Sequence, residues 1–399
     1  MDNKDMGPLS GVRVIDVGTM VAGPVAGTLL ADFGAEVIKI EQPGHGDTLR
    51  HIGPFEKGES LWWNVEGRNK KSLTLDLRQP EGQRILKELV KDADVLVENF
   101  RPGTLDRWNL SWSVLEQVNP RLVMLSVSGY GQTGPMAPRA GYDRMGLAFG
   151  GTLGITGYPD RAPVRPGTAV ADYQTALFGA FGTMVALYNR DVNGGRGQQV
   201  DLSLYEAVFR FTDVMVTAYD KLGLNRERTG NIHFAAAPGD HFETSDGRYI
   251  ALTVSSDRMY SRLCEAMPEL LDDPRFSTHT DRLANVDEIN RVVGEWIKSL
   301  PVPDLCKVLD DKGLAYSLIY TVEDIMVDPQ YESRETIVTV DNPRIGSLKM
   351  PAPQPRFSDT PAPVVKAAPD LGAHTEEILR ERLGLSDDEI AELRASSTI

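Results

Sequence analysis

The chain has 399 residues, 41% of them hydrophobic and 25% charged, which suits a globular protein of two or three domains at roughly 150 residues each. Disorder and a disulfide-stapled miniature fold are excluded. Its 57 acidic against 42 basic residues leave a net charge of −15, a field that repels nucleic acid and anionic membranes, so a small anionic ligand would need a local basic pocket.

In chain order, Val12 to Val17 and Val37 to Ile40 are β-branched runs that enclose a helical pattern from Pro24 to Phe33, a βαβ unit. Pro24 suits the start of that helix, and Gly34 supplies the permissive φ that closes it. Ser72 to Leu77, a helix from Pro80 to Lys91, Val95 to Val97 and Leu122 to Val127 continue the alternation. This predicts an α/β fold with a mostly parallel sheet covered by helices on both faces. From Asp172 to Asn189 an apolar stripe of Tyr173, Leu177, Ala180, Phe181, Met184, Val185 and Tyr188 keeps helical spacing, with Asp172 where an N-cap belongs. A glycine-rich turn at Asn193 to Gly197 precedes a strand from Gln198 to Ser203 and one long helix from Tyr205 to Leu222.

A boundary near Asn225 opens a smaller unit reaching about Val322, with a strand at Tyr249 to Val254, a helix after Ser256, and a helix after Asn285 whose Glu288 completes a capping pattern. Six prolines between Asn342 and Pro363 predict an extended linker. It leads to a terminal helical pair, Glu376 to Leu383 and Asp387 to Arg394, the second preceded by Ser386 with Glu389 three residues on. The division expected is 1–203 for a large domain, 204–225 for a linker helix, 226–325 for a small domain, 326–363 for a return linker and 364–399 for a segment that completes the large domain. No apolar run approaches the roughly 20 residues of a membrane span. Met1 to Leu9 lack the apolar core of a secretory signal, so a cytoplasmic chain is expected.

Several chemistries fail on their residues. Cys264 and Cys306 form no CxxC pattern and are expected as core thiols, and the 6 histidines form no HxxxH or HExxH pair, so no metal is expected. The turn Gly18-Thr19-Met20-Val21-Ala22-Gly23-Pro24 spaces its glycines like a phosphate loop but has Pro24 where the lysine should be, and it lacks GxGxxG. It is either a packing turn or, as a helix N-terminus after a strand, an anion site. The loop Tyr130 to Pro135 falls just past the end of a strand, where open α/β sheets bind ligands. Arg68, Lys70, Lys71 and Arg78 around one strand, and Arg101 and Arg107 around a loop, are either solvated charges or phosphate contacts. Asp172 follows the small-residue run Arg165 to Ala171 and is either a helix cap or a nucleophile kept ionised by the helix dipole.

Taken together, several segments resemble the class III CoA-transferases, the family of formyl-CoA and carnitine CoA-transferases and α-methylacyl-CoA racemases. They are Met20 to Pro24, Leu30 to Glu41, Asn69 to Leu73, Val97-Glu98-Asn99-Phe100-Arg101-Pro102-Gly103, Gly141-Tyr142-Asp143, Ala171-Asp172 and Gly372 to Leu379. The resemblance implies a Rossmann-like large domain, a smaller α+β domain and two interlocked subunits, either a homodimer or a heteromer with a relative. It implies Asp172 as the catalytic aspartate and CoA against Val21, Ala22, Lys39, Leu75, Arg78, Asn99, Phe100 and Arg107. Tyr142, Met145, His233 and Phe234 fall where the family places the acyl group, with Arg139 and Arg144 nearby as partners for a second carboxylate. No permanently bound cofactor is implied. CoA thioesters and small carboxylic acids are the expected partners, with succinyl-CoA a donor to test.

Three departures narrow the branch. The glycine run of formyl-CoA transferases reads here His233-Phe234-Ala235-Ala236-Ala237-Pro238-Gly239, and a tryptophan near their oxalate pocket is replaced near His51 and Ile52, which argues against formyl-CoA and oxalate. Racemases need a histidine where Tyr142 stands, and one aspartate cannot supply two-base proton exchange, so racemisation is the weaker branch, kept as the alternative activity. A CoA-binding subunit without catalysis is a third reading, which the intact Asp172 opposes.

Overall fold

The computed structural model describes residues 7–363 and 365–399, so residues 1–6 of the N-terminal stretch read above lie outside it. The chain divides into two compact units, one of residues 7–153, 165–224 and 332–399, the other of residues 154–164 and 225–331.

The first unit is built on β1 (Arg13–Asp16), α1 (Ala22–Asp32), β2 (Glu36–Glu41), β3 (Lys70–Thr74), α2 (Pro80–Val90), β4 (Val95–Glu98), β5 (Val123–Ser128), α3 (Asp143–Phe149), α4 (Val170–Asp191), β6 (Gln199–Ser203), α5 (Leu204–Phe209) and α6 (Met215–Leu222). The strands form one parallel sheet in the order β3-β2-β1-β4-β5-β6. That is the doubly wound arrangement, in which the strand order reverses between β1 and β4 and opens a crevice at their carboxyl ends. Register fixes the faces. Val14, Val37 and Val95 align across β1, β2 and β4 and point to one core with α1 and α4. Ile15, Ile38 and Leu96 align on the other face, under Ile85, Leu86 and Leu89 of α2.

The C-terminal helices α10 (Thr375–Leu383) and α11 (Asp387–Ala395), numbered after the elements of the second unit, return to this second face, where Ile378, Leu379, Ile390 and Leu393 are buried. Ser386 and Glu389 cap α11 as expected. Hydrogen bonds between Ser72 and His374 and between Thr74 and Thr375 tie α10 to β3.

α4 differs from its apolar stripe. Its buried face is made of small residues, including Ala171, Thr175, Ala176, Gly179 and Ala180. A Cβ on Gly179 would come within 2.8 Å of Leu125, so the helix lies close against the sheet and its large side chains are turned away. Leu177, Phe181 and Tyr188 are 59%, 65% and 60% exposed. The single helix expected over Tyr205 to Leu222 is two, α5 and α6. The Thr212 hydroxyl takes the Phe209 carbonyl, and Asp213 adopts a φ of 47°, which ends the first segment.

The second unit carries β7 (Gly239–Glu243), β8 (Tyr249–Thr253) and β9 (Tyr316–Leu318) in an antiparallel sheet ordered β9-β8-β7, with α7 (Asp257–Ala266), α8 (Val286–Lys298) and α9 (Val302–Asp311). Phe242, Ile250, Leu263, Phe276, Val293, Leu305 and Leu309 form its core. Cys264 belongs to that core, whereas Cys306 is only half-buried. The capping pattern expected at Asn285 and Glu288 does not form. Asn285 donates to the Asp281 carbonyl, and Glu288 pairs with Arg275 and Arg291.

The proline-rich stretch is also less extended than expected. Ile337–Asn342 (β10) pairs antiparallel with Gly346–Pro351 (β11), leaving only Ala352 to Pro363 as linker. The hairpin forms because the Asn342 side chain accepts the Arg344 and Ile345 amides and Gly346 supplies a φ of 84°. Truncating Leu379, fully buried under β3 and α2, to alanine is expected to lower unfolding free energy by about 3 kcal/mol in urea titrations.

Candidate functional site

The crevice at the carboxyl ends of β1 and β4 is organised by buried charge. Lys39 and Lys70 reach under the turn after β1 and meet Asp16 at 3.5 and 3.0 Å, and Lys39 also meets Asp47 at 3.1 Å. Burial alone would push the Asp16 carboxyl up, but Lys39 and then Lys70 outweigh it and hold it below the usual carboxylate range. The same side chains shape the turn. Asp16 accepts the Gly18 amide, Asn99 accepts the Thr19 amide at 2.7 Å and donates to the Thr19 carbonyl, and Asp47 accepts the Met20 amide at 2.9 Å. Met20 is thereby held at a φ of 64°, a left-handed conformation uncommon for its type. Ala22 and Gly23 begin α1 with N–H groups that have no intrahelical acceptor.

A cleft of about 650 Å³ opens at this turn, lined by Val21, Ala22, Asn99, Phe100, Tyr142 and Asp172 among others. Its far wall is the start of α4. Asp172 is not the N-cap that the sequence suggested, because α4 begins two residues earlier, at Val170. Among the described residues its carboxyl makes no hydrogen bond or ion pair. Burial first, and then the neighbouring Asp143, push it up to about 7. The next residue, Tyr173, anchors the helix: its hydroxyl donates to Glu66 at 2.8 Å and accepts from the Trp62 indole. The Gly129 and Gly141 backbones cross where any side chain would clash, a Cβ on Gly129 falling 2.6 Å from the Gly141 Cα, and this close approach brings Tyr142 to the cleft.

A second cavity of about 150 Å³ shares Thr19, Thr48 and Phe100 with the first and adds Lys39, Leu75 and Arg78. Lys39 lines it, but its ammonium is already neutralised by Asp16 and Asp47. Arg78 is exposed and paired with Asp76. Arg107, also exposed, bonds the Thr104 hydroxyl and lies outside both linings, as does Met145 of α3. His233 and Phe234 stack on each other in the second unit, ahead of β7. Of the other basic residues, Arg68 is bound to Asp32, Lys70 to Asp16 and Lys71 to Glu377, which makes them structural ion pairs. The Gly131 and Gln132 amides are bound to Ser128 and Asp201, and Arg101 lines the cleft.

Asp47 and Asp143 were missed as site residues. Asp143 stood inside the Gly141-Tyr142-Asp143 motif, but no periodicity showed which amides it would meet. Asp47 carried no signal at all.

The pattern of CoA-transferase family III matches residues 9–375, and the chain belongs to that family. It is 44% identical over 395 residues to a succinyl-CoA–D-citramalate CoA-transferase of Chloroflexus aurantiacus, covering 98% of each chain. It is 43% identical over 399 residues to the beta subunit of a succinyl-CoA–L-malate CoA-transferase of the same organism, again covering 98% of each. The crystal structure of a CAIB/BAIF family protein from Brucella suis superposes with a TM-score of 0.85 at 34% identity, over 94% of this chain and 100% of that one. Coenzyme A thioesters are therefore the substrates of the family's chemistry. No helix among the described residues is long and apolar enough to cross a membrane.

The raised proton affinity of Asp172 has a signed consequence for stability. A carboxyl pushed up to about 7 when folded and near the ordinary aspartate value of 3.8 otherwise binds its proton more tightly in the native state, so its contribution to stability falls as pH rises across that interval. Asp172→Asn is expected to raise unfolding free energy by about 2 kcal/mol at pH 8, after discounting for partial exposure. The gain should be smaller at pH 5, as read by urea unfolding at the two values.

Proposed function

We propose that this chain transfers CoA from succinyl-CoA to a small dicarboxylic acid through covalent intermediates on Asp172. The observation that carries the reading is a carboxyl with no partner among the described residues, in a cleft walled by the α1 N-terminus. The Asp172 carboxylate attacks the thioester carbonyl, forming a mixed anhydride and releasing CoA thiolate. The thiolate then attacks the aspartyl carbonyl, giving an aspartyl-CoA thioester and free succinate. The acceptor carboxylate attacks that thioester, and the released thiolate attacks the acceptor carbonyl, which restores Asp172. Each bond made is close in energy to the bond broken, so no ATP is required. The Ala22 N–H, free at the start of α1 on the cleft lining, is the donor for negative charge on a carbonyl oxygen there.

In this reading CoA follows the two adjoining cavities, past Val21, Ala22, Asn99 and Phe100, with Leu75 and Arg78 at the far end and Arg107 at the rim. Lys39 supports the turn from beneath. Tyr142 is the first choice for contact with the acyl group, with Met145 as a further contact and no permanently bound cofactor. The donor and the acceptor class follow the relatives named for succinyl-CoA, citramalate and malate. Racemisation needs a second base, and among the described residues no histidine lines the cleft. The test is incubation with succinyl-CoA and a panel of dicarboxylates without ATP. A new CoA thioester should form, hydroxylamine or borohydride should mark Asp172 after donor exposure, and Asp172→Ala should lose at least about 1,000-fold in kcat. With an unperturbed fold, kcat/KM should fall below about pH 7 as Asp172 takes up its proton. Full activity of Asp172→Ala would refute the mechanism.

Assembly belongs to the same reading. Leu177, Phe181 and Tyr188 form an outward row of exposed large apolar side chains on α4, and Val216, Tyr219 and Leu222 of α6 are exposed as well. Apolar side chains exposed in such number mark an interaction surface. A second copy in an interlocked homodimer is the occupant, and a related chain forming a heteromer is the alternative, since one relative is named as a subunit. Phe181→Glu is expected to shift the protein to monomer in analytical ultracentrifugation.

A further inference from the structure

The first N–H groups of a helix ordinarily take an acceptor side chain from the N-cap residue, or from an acid at the third helical position reaching back, which is where Asp172 stands. In α4 another residue supplies the acceptor. Asp143, the first residue of α3, accepts the Ala171 N–H at 2.8 Å and the Asp172 N–H at 3.4 Å through one oxygen, Oδ1. α3 can approach because Gly146 has no side chain: a Cβ there would lie 3.3 Å from that of Ala171 and 2.9 Å from that of Leu204. We propose that Asp143 is a positioning residue for the transfer reaction, satisfying the amides at the start of α4 so that the Asp172 side chain is released from capping and held in the cleft. The inference rests on Asp172 being the nucleophile.

Asp143 also sets the charge beside the nucleophile. Arg101 and Tyr142 line the cleft, and Arg144 follows Asp143 on α3. Tyr173 bonds Glu66, Glu206 on α5 bonds Ser203, Asp201 on β6 receives the Gln132 amide, and Asp32 on α1 holds Arg68. Among all of these only Asp143 acts on the Asp172 carboxyl, and it acts in the same direction as burial.

Two substitutions separate the acceptor from the charge. Asp143→Asn keeps an oxygen for the two amides and removes the charge, while Asp143→Ala removes both. Thermal unfolding of each full-length variant gives the folded fraction to which rates are normalised. Asp143→Ala is expected to lose about 100-fold in kcat, with KM for succinyl-CoA within about threefold. Asp143→Asn is expected to recover most of that kcat and to move the acidic midpoint of kcat/KM to lower pH. Normalised kcat of Asp143→Ala equal to wild type, or Asp143→Asn as slow as Asp143→Ala with an unmoved midpoint, would overturn the proposal. Hydroxylamine-sensitive modification of wild-type Asp172 by succinyl-CoA, run alongside, reads the nucleophile itself, so its absence refutes the parent reading and is distinguishable from failure of Asp143.

Discussion

Two lysine ammonium groups sit beneath the turn after β1 with no solvent to stabilise them, and the geometry of the crevice follows from how they are neutralised. Lys39 and Lys70 are each nearly or fully inaccessible, and Asp16 and Asp47 compensate them within ion-pair distance. Taking such charges out of water costs several kcal/mol each, which is recovered only if every remaining donor and acceptor is used. The spare capacity is used on the backbone: Lys39 donates to the Gly18 carbonyl, Lys70 donates to the Pro24 carbonyl at 2.6 Å, and the two acids accept the Gly18 and Met20 amides. The turn therefore cannot relax without stranding a buried charge. Glu41 extends the arrangement outward, accepting from Arg50 at 2.7 Å and from Ser72 at 2.6 Å.

A turn held this rigidly makes one wall of the cleft, and the other wall is set by close approach rather than by charge. α4 presents alanine, threonine and glycine to the sheet, so its axis lies near β5 and its first turn stands opposite the start of α1 across the cleft. Asp143 closes the helix start from outside, and among the described residues the Asp172 carboxyl has no hydrogen-bond or ion-pair partner. In the proposed chemistry that isolation is useful. A carboxylate stripped of hydrogen bonds is a better nucleophile than a solvated one, and raised proton affinity accompanies it.

The fold class was legible in the sequence because its signals are local. Alternation of short β-branched runs with amphipathic helices gave the parallel sheet, and the glycine after α1, the proline at the start of α2 and the Ser386 and Glu389 cap located the ends of elements. Where local signals conflicted, the sequence misled. Tyr205 to Leu222 has helical periodicity throughout, yet Thr212 and Asp213 break it through side-chain and backbone choices that periodicity does not record. Prolines between Asn342 and Pro363 hid a hairpin whose register depends on one asparagine side chain.

For the site, the sequence by itself determined the inventory: Asp172 after a run of small residues, Asn99 and Phe100 after a strand, and the Gly18 to Pro24 turn before a helix. Family likeness then gave those residues a common purpose. Only the tertiary structure decided which charges are spent on the fold and which remain free, because that depends on contacts between residues far apart in the chain. Asp32 and Arg68, and Asp16 and Lys70, are neutralised by such contacts. Asp143 meets α4 28 and 29 positions away, and no spacing rule for helices or strands reaches so far. The difference between a capping aspartate and a free one is a matter of which neighbour arrives first at the helix amides, and only packing settles it.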